Sequence, residues 1–155
     1  MALTKLNNNS LHAITDGSAL KNVTGTVLQV VEGTFSTQTD IAGTSYADTG
    51  LSASITPKSS SSKVLVVTNV HCFINGTGFI GINIVRGSTQ IAEGSRVLGF
   101  DDNAGTVASL TKLDAPNTTN ATTYKVQVKK EASTGTLRTN QHQGGSRITL
   151  IEIAG

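Results

Sequence analysis

Residues 64–74 read VLVVTNVHCFI and residues 79–86 read FIGINIVR. Successive side chains of a β-strand point to opposite faces, so a strand with one buried face alternates with a period of two. In the first run Val64, Val66, Val70, Cys72 and Ile74 make one nearly continuous apolar row, and in the second Ile80, Ile82 and Ile84 make another. Asn75-Gly76-Thr77-Gly78 separates them. That spacing predicts a β-hairpin with a Gly76-Thr77-Gly78 loop and Gly78 in the left-handed position. For the two rows to share a face, Ile74 must oppose Ile80 and Val70 must oppose Ile84, which sets His71 against Asn83.

The same alternation recurs outward from this pair. Candidate strands are Val27 to Val31, Leu51 to Thr56, Thr89 to Glu93, Ser95 to Phe100, Thr106 to Leu113, Thr122 to Lys130, Thr136 to Thr139 and Arg147 to Ile153. Phe35 to Thr39 and Ser45 to Tyr46 read as weak edge pieces. Pro57 closes the run from Leu51, because proline cannot donate to a ladder. Thr supplies 23 residues, Ser 15 and Gly 16, a composition suited to pleated surfaces and turns. The expected fold is all-β, a jelly-roll-like antiparallel β-sandwich, with Val66, Val70, Cys72, Ile82, Ile84, Tyr124, Val126, Val128, Ile148 and Leu150 in its core.

Residues 1–26 are polar and weakly periodic, with Leu3, Leu6, Leu11 and Ile14 as scattered apolar anchors. They read as an extended N-terminal docking arm on a sandwich domain of residues 27–155.

Chemistry is sparse. The net charge is +2 and no basic stripe stands out, so no nucleic-acid partner is expected. No apolar run approaches the ~20 residues that cross a bilayer, so no membrane partner is expected and the chain is read as soluble. The lone Cys72 excludes an intrachain disulfide and a multi-cysteine zinc site, and reads as a small core hydrophobe. His12, His71 and His142 lack neighbours at metal-ligand spacing. Asp101-Asp102-Asn103 lacks the spaced acids of a calcium loop. Only ten acids are present, mostly single, where a glycan hydrolase needs a pair about 5–10 Å apart. We therefore expect no catalytic residue, no metal and no cofactor.

Placing the isoleucine rows in the core leaves a second face of Asn69, His71 and Phe73 beside Asn83 and Val85, neither cleanly polar nor apolar. Such a mixed face suits an interface between copies, and a homotrimer contact there is the expectation.

The stretch Val27 to Val67 carries a resemblance. Val27-Leu28-Gln29-Val30-Val31, then Ser45-Tyr46-Ala47-Asp48-Thr49-Gly50-Leu51, then Ile55-Thr56-Pro57 and a serine loop into a Val-rich strand resemble a recurrent module of tailed-bacteriophage structural proteins. The terminal Leu150-Ile151-Glu152-Ile153 fits as well. The resemblance implies a trimeric knob, similar to tumour-necrosis-factor-like knobs, on the virion surface. One expected role is a capsid decoration (cement) protein whose arm reaches over capsid subunits. The alternative is a tail-fibre or adhesin head binding a host-surface receptor through loops Asp101 to Gly105, Pro116 to Ala121 and Asn140 to Gly145, grouped at one end.

Overall fold

The structure is a computed structural model and describes residues 24–100, 103–131, 134–143 and 145–155. Among the described residues ten strands run in chain order: β1 (Val27–Phe35), β2 (Thr39–Ile41), β3 (Ala47–Ile55), β4 (Lys63–Asn75), β5 (Gly78–Arg86), β6 (Thr89–Phe100), β7 (Ala104–Asp114), β8 (Thr122–Glu131), β9 (Thr136–Thr139) and β10 (Ser146–Ile153). Each alternating run of the sequence is a strand. The two runs expected at Thr89 and Ser95 join into one, whereas the two weak pieces are not strands of their own: Phe35 closes β1 and Thr39 opens β2 with a break between them, and Ser45–Tyr46 lies outside any strand, just before β3.

The strands form two antiparallel sheets. In sheet A, β10 and β9 lie along one side of β4, against Lys63–Asn69 and Cys72–Asn75 respectively. β7 runs along the whole other side of β4, and β1 and β2 pair with β10 and β9. Sheet B has the order β3-β8-β5-β6. The main strands thus read β1-β10-β4-β7 over β3-β8-β5-β6. This interleaving is a jelly roll, in which most connections cross from one sheet to the other.

The expected hairpin between β4 and β5 is not formed. β4 belongs to sheet A and β5 to sheet B. Ile74 faces Ala104 and Leu137 across its ladders, while Ile80 faces Leu98 and Lys130. The two apolar rows do share one core, but from opposite sides of it: Val64, Val66, Val70, Cys72 and Ile74 meet Ile80, Ile82 and Ile84 face to face. A shared core is what alternation encodes, and alternation is silent on whether two rows lie in one sheet. Gly76 makes the crossing at φ +126, and a Cβ there would stand 2.9 Å from the backbone of Gly135.

All ten residues expected in the core are fully buried. Thr122, Tyr124, Val126 and Val128 point inward from β8, as their parity predicts. Gly33 admits a close approach of the two sheets, since a Cβ on it would come within 2.2 Å of the Ser52 carbonyl oxygen.

Two buried acids pin the core at one end. Asp114, from sheet A, accepts hydrogen bonds from Arg86 Nη1 at 2.8 Å and from the Tyr124 hydroxyl at 2.8 Å, both from sheet B. Burial, reinforced by that bond, pushes the Tyr124 phenol well above its ordinary range. Glu152 has the inward parity of Ile148 and Leu150 and is fully buried. Its carboxylate accepts the Lys58 amide at 2.7 Å and a bond from the Gln29 side chain. A buried carboxylate is tolerated when its oxygens are hydrogen-bonded, and both of these acids meet that condition.

Candidate interaction surface

The sandwich has two outer faces of unlike chemistry. On sheet A the outward residues of β4 are Leu65, Val67, Asn69, His71 and Phe73. Ladder register aligns them with outward residues on neighbouring strands. Val30, Ile151, Leu65 and Leu113 stand in one row across β1, β10, β4 and β7. The next rows are Glu32-Thr149-Val67-Thr111 and Thr34-Arg147-Asn69-Ser109, and beyond them His71 opposes Val107. Val30 is 57% exposed, Val107 48% and Leu113 47%, so the face holds large apolar side chains that nothing among the described residues covers.

Asn69 and the backbone of His71 are tied down locally, while the ring Nδ1 of His71 has no hydrogen-bond partner among the described residues. Asn69 Oδ1 accepts from Ser109 Oγ at 2.7 Å. The His71 amide donates to Ser146 Oγ at 3.0 Å, and Asn140 donates its amide to the His71 carbonyl at 2.9 Å. These bonds anchor the 3₁₀ turn Gln141–Gln143 that separates β9 from β10. From that turn the His142 ring meets Phe73 edge-on, with centroids 5.8 Å apart.

The outer face of sheet B is for the most part a hydrogen-bonded polar lattice, with Phe79, under the Arg96 guanidinium, as its exposed apolar residue among those described. Lys125 and Gln127 both hold Asp48, at 2.9 and 2.6 Å. Lys129 Nζ pairs with Glu131 at 2.9 Å and sits 4.5 Å from the centre of the Tyr46 ring. The Tyr46 hydroxyl donates to Glu93 at 2.8 Å, and Gln90 donates to the other Glu93 oxygen at 3.0 Å. The bond from Tyr46 lowers the pKa of Glu93, and Lys129 lowers that of Glu131. Burial, with the bond to Glu93, raises the Tyr46 phenol to about 12.

These positions correct the expected interface. Asn69, His71 and Phe73 face outward from sheet A, whereas Asn83 and Val85 face outward from sheet B, on the opposite side of the molecule. His71 opposes Val107, and Asn83 lies between Gln127 and Glu93. The five residues therefore do not share one face of the protomer. Asn83 is also 1% exposed and Val85 5%, lying beneath the polar lattice. Asn83 donates to Gln90 at 3.0 Å.

The loops assigned to receptor binding do not gather at one end. Ala104 and Gly105, where β7 begins, pair with Ile74 and Phe73, near Asn75 and Thr136. Residues 115–121 lie at the other end, beside Val64 and Ile55. Residues 140–143 sit beside His71 and Phe73, in the Asn75 half of β4 but short of its end. The jelly-roll crossings send successive loops to alternate ends, which sequence spacing does not reveal.

Among the described residues no group of three or more His, Cys, Asp or Glu is placed to hold a metal ion. A hollow of about 100 Å³ at the β3 bulge is lined by Asp48, Gly50, Leu51, Ser52, Lys125 and Val126. It is smaller than the ~300 Å³ at which ligand pockets begin. Cys72 is fully buried, and burial pushes its thiol up to about 12. The arm residues Leu3, Leu6, Leu11 and Ile14 lie outside the described residues. Compared with known proteins, the sequence matches no family model and no curated protein.

Proposed function

We propose that this chain is a non-enzymatic structural protein of a tailed-phage virion, a homotrimeric jelly-roll knob that decorates the capsid surface and clamps neighbouring capsid subunits. The observation that carries this reading is the contrast between the two outer faces. Sheet B spends its polar groups on one another, while sheet A leaves Val30, Leu113 and Val107 in the open beside Leu65, Val67 and Ile151. Apolar patches of this kind on a sandwich mark protein contacts. The trimer contact is accordingly moved to the outer face of sheet A, retaining Asn69, His71 and Phe73 and releasing Asn83 and Val85. The virion assignment rests on the resemblance of Val27 to Val67, and the decoration role on the reading of a compact sandwich knob preceded by a docking arm.

The receptor-binding alternative loses its main support with the dispersal of its loops. Reconstruction of the virion tests the assignment: density for this chain over the capsid lattice is the expected result, and density confined to the tail would overturn it.

A further inference from the structure

Edge strands offer unpaired amides and carbonyls, and stable proteins interrupt them with bulges, charges or brevity. Among the described residues the edges other than β7 carry a register shift, a charge or brevity. β1 shifts register at its start, between Val27 and Gln29, and has Glu32 within it. β3 shifts between Asp48 and Ser52. β6 shifts twice, and its Arg96 sits at φ +50. β2 is three residues long. β7 is different: its eleven residues pair with β4 from Val64↔Asp114 to Ile74↔Ala104 without a shift, and Ala104 to Thr111 holds neither a charge nor a proline. Among the described residues β7 has no ladder partner on its second side.

We propose that the free edge of β7 is a strand-addition site, occupied by part of residues 1–23 of a neighbouring copy in the trimer. The inference rests on the trimer reading and names where the arm docks. The chain enters sheet A at the edge opposite β7: Gly25 donates its amide to Ala154 and Ala154 donates to Thr26, which sets the arm's exit beside the start of β1. In a head-to-tail ring the β1 side of one copy faces the β7 side of the next. An arm leaving beside β1 therefore emerges next to the neighbour's β7. To reach its own β7 it would have to cross three strand spacings, about 14 Å, over the face assigned to the trimer contact. Twenty-three residues span at most about 75–80 Å, ample for both the crossover and the pairing. Main-chain pairing supplies the hold, as in other strand additions, so the arm needs only scattered apolar anchors such as Leu3, Leu6, Leu11 and Ile14.

Disulfide trapping in the full chain tests this. Thr111→Cys, on the exposed side of β7, is combined in turn with Leu3→Cys, Leu6→Cys, Leu11→Cys or Ile14→Cys. Cys72 is buried and does not compete. Under mild oxidation at least one pair is expected to give linked species up to a covalent trimer, while Thr111→Cys alone stays uncrosslinked. A link within a single chain, or a dimer from Thr111→Cys alone, would overturn the proposal by naming a different occupant. Hydrogen exchange on the wild type gives a register-independent reading: protection at every β7 amide is expected, and rapid exchange at alternate residues would overturn it. Sedimentation of the same samples separates the two levels. A trimer without cross-links and with alternating exchange defeats the strand addition alone, and a monomer defeats the trimer as well.

Discussion

At single positions the packing makes sharp demands. Val70 is fully buried between the sheets, and Val70→Ala is expected to cost about 1–3 kcal/mol through lost burial and an incompletely closed cavity. Gly33→Ala errs in the other direction, wedging a methyl group against the Ser52 carbonyl, and is expected to cost about 1–3 kcal/mol by overpacking. Denaturant titration measures both. Cys72, with its thiol raised to about 12, is expected to ignore thiol reagents at pH 8 until the protein unfolds. The two tyrosines give a pH signature. Both phenols titrate higher when folded than the ordinary 10, because burial disfavours the phenolate. The unfolded chain therefore loses protons first as pH rises past about 10, so stability held below that pH drains away above it, through about 12 for Tyr46. Tyrosinate absorbance followed alongside circular dichroism is expected to rise late, together with unfolding. A simple step near pH 10 in the folded protein would contradict the raised phenols of Tyr46 and Tyr124.

At the level of elements, local alternation was sufficient to find nearly every strand and to sort its inward side from its outward one. Thr122, Tyr124, Val126 and Val128 illustrate why: burial on one face of a strand writes itself directly into parity. Pairing is written far less plainly. Val64 to Ile74 and Ile80 to Ile84 have the pattern of hairpin partners and of facing strands in a sandwich alike, because both arrangements bury the same rows. Only the conformation of Gly76 and the tertiary neighbours of β4 decide between them. The candidate interface inherited that ambiguity. Asn69, His71 and Phe73 were recognisable as a mixed outward row, but their companions are Val107, Ser109, Ile151 and Val30, residues distant in sequence that only the ladder register brings alongside. Glu152 was legible in principle, since it continues the inward parity of Ile148 and Leu150, yet its partners Lys58 and Gln29 come from other elements. A variant tests the element-level account. Leu113→Lys, at the exposed end of the apolar row, is expected to leave the melting of the isolated fold within about 0.5 kcal/mol while weakening self-association. A large loss of stability in a monomeric preparation would mean that the side chain packs inside the protomer.

For the whole molecule, the asymmetry of the two faces sets the expected architecture. The lattice of Asp48, Lys125, Gln127, Tyr46, Glu93, Lys129 and Glu131 is suited to water, with its charges matched along β3, β8 and β6. Sheet A is suited to another protein surface, and burying its row would withdraw Val30, Leu65, Leu113 and Ile151 from water at about 25 cal/mol per Å² of apolar area. In a closed trimer that face turns toward the symmetry axis, and the polar lattice forms the outside. The free edge of β7 and the arm then lie at the seam between copies, which links the two proposals without making either depend on one side chain. Sedimentation equilibrium of the wild-type chain at micromolar concentration tests the central claim most directly. A mass three times that of the 16.0 kDa chain is the expected result, and a folded species of 16.0 kDa would contradict it.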